Sequence, residues 1–106
     1  MPKIIGMALV YKTTDALGAD ASVTSGRIRT VYAEKVLGTV YADVDGTLYI
    51  EWSSDGGNNW DGQDTISVTG GTPTSINVDV KAPDMRVRYV NGAAAQTEFR
   101  LYVFIK

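Results

Sequence analysis

From Ser75 to Lys81 the chain reads Ser-Ile-Asn-Val-Asp-Val-Lys, and this strict alternation of apolar and polar residues is the strongest constraint on its fold. Successive side chains of a strand point to opposite faces, so Ile76, Val78 and Val80 fall on one side and Asn77, Asp79 and Lys81 on the other. A helix would scatter the same residues around its circumference. The period recurs along the chain, and no segment holds an apolar stripe at i, i+3, i+4 and i+7 through three turns. Strands are predicted over residues 3–12, 27–32, 36–43, from Thr47 to about Ser53, 64–69, 75–81, 85–90 and 98–106. Residues 13–26 read as a loop, with a short helical turn expected around Asp15 to Ala19.

Gly, Pro, Asn and Asp separate these strands at intervals of roughly 8–14 residues, the spacing of two packed antiparallel sheets. The expectation is an all-β chain, one antiparallel β-sandwich domain of about eight strands spanning residues 1–106, jelly-roll or Ig-like. At 106 residues there is room for one core. Cysteine is absent, so packing and strand pairing must hold the fold without disulfides or thiolate-bound metal. Histidine is absent too, which removes a Ser-His-Asp triad and a His-ligated zinc site. Nothing in the spacing of the acidic residues selects a catalytic pair, and neither an enzymatic activity nor a cofactor is expected. Ten Lys and Arg against twelve Asp and Glu leave a net charge of −2, which points to neither a nucleic acid nor a membrane. The apolar run from Ile4 to Tyr11 is eight residues long, far short of the ~20 of a spanning helix. It reads as a strand covered on both faces.

In the strand from Thr47, Leu48, Ile50 and Trp52 share one face and Tyr49, Glu51 and Ser53 the other. The turn that follows, Ser53-x-Asp55-x-Gly57-x-x-Trp60, matches the Asp-box pattern of sialidases and other β-rich proteins at its four defining positions. Ser53 and Asp55 oxygens suit turn amides, Gly57 suits a left-handed conformation, and Trp60 suits packing over the hairpin. The resemblance implies a structural hairpin away from any active site. Asp43-Val44-Asp45-Gly46 has the look of a calcium-loop fragment, but the remaining ligand spacing fails and a hairpin turn is the better reading.

The last two strands are expected to pair as a hairpin. Met85, Val87 and Tyr89 would then share an inward face with Phe99, Leu101, Val103 and Ile105. Arg86, Arg88, Arg100, Tyr102 and Phe104 would share the outer one, with Arg100 opposite Arg86 or Arg88. Facing arginines call for a carboxylate such as Glu51 or Glu98, or for an acidic partner. With Ile4, Ile5, Leu9 and Tyr11 of the first strand, this face supplies the partner-interface candidates. Two terminal strands apolar on both sides exceed what a chain of this size covers alone, so self-association or docking is expected.

The stretches Val40-Tyr41-Ala42-Asp43 with Gly46-Thr47-Leu48-Tyr49-Ile50-Glu51, Asp55-Gly56 with Asn59-Trp60-Asp61, and Arg86-Val87-Arg88-Tyr89-Val90-Asn91-Gly92 resemble small β-sandwich virion proteins of tailed bacteriophages. These are capsid decoration proteins and related head or tail surface modules. The resemblance implies a non-enzymatic decoration or cement protein of the virion, made in the host cytoplasm. It would dock on a major capsid protein or a tail protein, as a homo-oligomer such as a trimer. Two alternatives stand beside it. One is a tail-associated or host-adhesion module that binds carbohydrate through Tyr49, Trp52 or Trp60; the other is a single-strand nucleic-acid-binding domain using the arginine and aromatic face.

Overall fold

The structure, a computed structural model, describes residues 6–106. Among them are nine strands: β1 (Ala8–Thr13), β2 (Ser22–Thr24), β3 (Ile28–Arg29), β4 (Lys35–Ala42), β5 (Gly46–Ser53), β6 (Gly62–Val68), β7 (Thr74–Asp79), β8 (Asp84–Asn91) and β9 (Phe99–Ile105). They form two antiparallel sheets packed face to face. One sheet has the order β1-β9-β4-β7; the other has the order β2-β8-β5-β6, with β3 extending the edge of β8 beside β2. The chain is all-β, as its periodicity predicts.

The alternation places the core. In the four-stranded sheet, Val36, Val40 and Ala42 of β4 lie across from Ile105, Leu101 and Phe99 of β9, all directed inward. Leu48, Ile50 and Trp52 of β5 lie across from Tyr89, Val87 and Met85 of β8 in the other sheet and meet them at the midplane. One contact shows the two layers meeting: the rings of Tyr89 and Phe99 stand 4.7 Å apart, tilted by 46°. Gly38 is the gap in β4's inward row. A Cβ there would come within 2.0 Å of the Tyr102 carbonyl oxygen, and its φ of +150° disfavours any L side chain.

Three expectations are corrected. The stretch predicted as a loop over residues 13–26 contains β2, and no helical turn forms at Asp15 to Ala19. Leu17 there is held from both sides by Gln96, whose side-chain Oε1 accepts the Leu17 amide at 2.8 Å and whose main-chain N–H donates to the Leu17 carbonyl at 2.8 Å. A residue whose N–H and C=O are both taken by a distant segment has neither left for an i to i+4 ladder. The strand predicted over 27–32 is reduced to Ile28 and Arg29.

The third correction matters most for function. β8 and β9 are not a hairpin. β8 pairs with β2, β3 and β5, whereas β9 pairs with β1 and β4 in the opposite sheet. Both strands alternate about the same core, so their in/out patterns agree without any ladder between them. The intervening loop is tied down by Asn91, whose buried Nδ2 donates to the carbonyls of Gly18 and Ala94, each at 2.8 Å. Asp43 receives the amides of Thr97 and Glu98 at 3.0 and 3.2 Å, which fixes where β9 begins. Asp45 Oδ1 accepts the Gly70 amide at 2.7 Å. The two aspartates that look like a calcium-loop fragment thus each direct a carboxylate oxygen to main-chain amides.

Candidate functional site

Separating β8 from β9 splits the predicted arginine and aromatic surface in two. Arg86 and Arg88 lie on the outer face of the five-stranded sheet; Arg100, Tyr102 and Phe104 lie on the outer face of the four-stranded one, on the far side of the sandwich. Arg100 therefore does not oppose Arg86 or Arg88.

On the five-stranded sheet, β5 and β8 bring Tyr49 across from Arg88 and Glu51 across from Arg86. Glu51, only 8% exposed, accepts Arg86 Nε at 2.6 Å on one oxygen and Arg88 Nε at 3.3 Å on the other. The Arg86 guanidinium lies 4.6 Å from the centre of the Trp60 ring, and that of Arg88 lies 4.2 Å from the centre of Tyr49. Ring, guanidinium, carboxylate, guanidinium and ring thus alternate across the sheet. Each arginine is held at its Nε by charge and over its plane by a π-face. The carboxylate expected to offset the arginines is present as Glu51.

Asp84, 2% exposed, stands one row further along β8 and gathers two more arginines. Its Oδ1 is 3.3 Å from Arg29 Nε and 4.0 Å from Arg27 Nε. Arg27 also reaches the Gly56 carbonyl, with Nη1 at 2.7 Å. Arg27 and Arg29 were not singled out from the sequence, although Arg27-Ile28-Arg29 repeats the spacing of Arg86-Val87-Arg88.

The turn after β5 abuts this face. Ser53 Oγ accepts the amides of Gly57 at 2.8 Å and Asp55 at 3.3 Å, and donates to Asp55 Oδ1 at 2.8 Å. Asp55 in turn accepts the Asn59 amide at 2.9 Å and its side-chain Nδ2 at 2.6 Å. These bonds, led by the one from the Asn59 side chain, bring the Asp55 carboxyl down to about 2. Gly56 and Gly57 have φ of +74° and +94°. The turn fixes Trp60, and Trp60 backs Arg86. Ser53, Asp55, Gly57 and Trp60 act together as a support for the arginine ladder.

The outer face of the four-stranded sheet differs in character. Leu9, Phe104 and Leu37 line up across β1, β9 and β4, and Lys12, Tyr102 and Thr39 form the next row. Leu9 is 52% exposed. Arg100 pairs with Glu98 at 2.5 Å and lies 4.6 Å from the Tyr41 ring centre, beside a shallow depression of about 350 Å³ bordered by Thr39, Pro73 and Tyr102. Tyr11 is not on this face. A register shift between Leu9 and Tyr11 turns it toward the core, where it is half-buried and its hydroxyl's pKa is raised by burial. Ile4 and Ile5 lie outside the described residues.

The tryptophans do not present a loop-face sugar platform. Trp52 is 3% exposed, with Nε1 donating to Asp64 at 2.8 Å, and Trp60 lies against Arg86. Among the described residues no group of three or more acidic residues is arranged to hold a metal ion.

Fold and surfaces together define a two-sheet β-sandwich with an apolar row on one outer face and an arginine-rich cluster on the other. The chain belongs to the family described as the YqxG N-terminal domain, whose model matches residues 4–106. It is 39% identical over 88 residues to the phage-like element PBSX protein XepA of Bacillus subtilis strain 168, covering 82% of this chain and 31% of that protein. It is 36% identical over 77 residues to the uncharacterised protein YqxG of the same strain, covering 72% and 26%. The crystal structure of the PBSX exported protein XepA superposes with a TM-score of 0.81 at 33% identity, over 94% of this chain and 36% of that one. A subunit of Bacillus endospore appendages, described as disulfide-linked pili, shares the fold with a TM-score of 0.54 at 16% identity, over 100% of this chain and 95% of that one. The chain thus spans under a third of the length of the curated relatives it matches.

Proposed function

We propose that this chain is a non-enzymatic structural module of a phage or phage-like particle, exported or carried on the particle, and that it docks through the outer face of its four-stranded sheet. The single observation that carries this reading is the row Leu9, Phe104 and Leu37 on the outer face of the four-stranded sheet, with Leu9 exposed, in a chain related to a phage-element protein. Three aliphatic and aromatic side chains in register, flanked by Tyr102 and Tyr41, form the apolar centre that an interface buries. The finer assignment is a decoration protein that seats on a capsid shell and stabilises it, with self-association, as in a trimer, supplying part of the contact. Such an interface buries on the order of 1,200–2,000 Å² in total.

Cosedimentation tests it. Wild-type protein mixed with purified heads or tails is expected in the pellet with one of them, and a variant carrying Leu9→Asp and Phe104→Ser, folded by circular dichroism, is expected in the supernatant. A wild-type protein that stays a monomer and pellets with neither particle refutes the proposal.

A further inference from the structure

We infer that the outer face of the five-stranded sheet is a binding surface for an acidic polysaccharide, a sugar chain carrying carboxylates. Four arginines stand here over two buried carboxylates, so this cluster carries two more arginines than carboxylates on a chain whose net charge is −2, with the Asp55 carboxylate engaged by Asn59 and Ser53 in the abutting turn. Arg86 and Arg88 are also pre-oriented. Glu51 engages each at Nε, the Trp60 and Tyr49 rings hold each guanidinium plane, and the Nη groups of both have no hydrogen-bond partner among the described residues. A guanidinium fixed at its inner edge offers an outer pair of N–H donors in the geometry that a carboxylate accepts. Arg86 and Arg88 are two residues apart on one strand, so their Cα atoms stand roughly 6–7 Å apart and both side chains leave the same face of the sheet. Arg29, well exposed, continues the row toward the sheet edge.

The residues around the arginines select among anionic partners. Arg88 is flanked in register by Thr24 on β2 and, beyond Tyr49, by Thr65 on β6. The neighbouring row runs Ser22, Val90, Thr47 and Ser67. These hydroxyls give a flat hydrogen-bonding surface, with Val90 the one aliphatic side chain among them. A protein partner is disfavoured, because interface centres are built on uncapped aromatic and aliphatic anchors. Single-stranded nucleic acid is disfavoured as well, since it binds by stacking bases on aromatic faces and here the Tyr49 and Trp60 rings are taken up by guanidiniums. A sugar polymer satisfies hydroxyls and arginines together. This surface lies opposite the face proposed for docking, so a copy seated on a particle would present its arginines outward; the binding itself requires no particle.

The test is affinity electrophoresis and calorimetry of the whole chain with polygalacturonate, neutral dextran and single-stranded DNA. Retardation by polygalacturonate that fades between low and high salt, with none by dextran, is expected. Arg29→Gln should weaken binding about two- to fivefold. Arg88→Lys, which keeps the charge and loses the fork, should weaken it as well, while Lys12→Gln on the far face should leave it unchanged. Thermal midpoints check that each variant is folded. Absence of retardation by polygalacturonate at low salt, equal retardation by dextran, tighter binding of DNA, or an unaltered affinity in both arginine variants would each overturn the inference. Loss of cosedimentation in the docking variant with polygalacturonate binding intact would separate this surface from the docking face.

Discussion

Glu51→Gln is the most informative single change in the arginine ladder, because it preserves shape and removes one charge. Glu51 is 8% exposed and accepts two Nε bonds, at 2.6 and 3.3 Å. Glutamine keeps one acceptor oxygen and sets an NH2 donor against the other arginine's Nε–H, so one of the two bonds to a charged group, each worth about 1.5–3 kcal/mol, is lost. The guanidiniums are partly open to water, which screens the loss, and the 3.3 Å bond is the weaker of the two. About 1–2 kcal/mol is the expected cost. In a chain of this length that lowers the thermal midpoint by roughly 4–12 °C, and urea unfolding should show a lower midpoint at an unchanged slope. The same substitution raises the excess positive charge of the face, so polygalacturonate should bind it at least as well as it binds wild type. A Glu51→Gln protein as stable as wild type would refute the ladder as a contributor to stability. A loss of 4 kcal/mol or more would show that the arginines are far less hydrated than their exposure implies.

Two further outcomes follow from the backbone and the turn. Gly38→Ala forces the Tyr102 carbonyl away from a Cβ and places alanine at a φ of +150°, which should cost about 2–5 kcal/mol through strain and lost ladder bonds between β4 and β9; a urea midpoint within error of wild type would contradict the close approach. Asp55→Ala should lower the thermal midpoint at neutral pH. The Asp55 carboxyl is depressed to about 2, so its stabilisation is present above the ordinary carboxylate range of about 4 and is lost as pH falls through 2. The gap between wild type and variant should therefore close across that window, and a gap independent of pH would show that the ionised form of Asp55 is not what holds the turn.

Residue by residue, the core was legible and the sheet assignment was not. Alternation identifies Leu48, Ile50 and Trp52, or Leu101 and Val103, as inward because burial is the property it reports. Both sheets face the same midplane, so β8 and β9 carry the same signal whether they pair with each other or lie across the core. A common inward face for Met85, Val87 and Tyr89 with Phe99, Leu101, Val103 and Ile105 is therefore what a hairpin and two strands on opposite sides of one core both produce. The arginine surface is illegible for the same reason: an expected hairpin groups Arg100 with Arg86 and Arg88, and β3 is too short for its alternation to mark Arg27 and Arg29. Glu51 and Glu98 are both named from the sequence on the premise that Arg100 faces Arg86 or Arg88; that premise fails, and each carboxylate serves the arginines of its own sheet, Glu51 those at Arg86 and Arg88 and Glu98 the one at Arg100.

The position of β9 between β1 and β4 has a consequence for biosynthesis. It is the ninth strand in chain order and a central strand in space, hydrogen-bonded along both edges. Until it leaves the ribosome, β1 has no ladder in its own sheet and β4 has only β7, with Val36 and Val40 deprived of Ile105 and Leu101. Nascent chains will therefore hold the five-stranded sheet's strands ready while two open edges wait for one late arrival. Closure is then a single insertion event of high sequence separation, slow by topology and exposed to mispairing with another chain until it occurs.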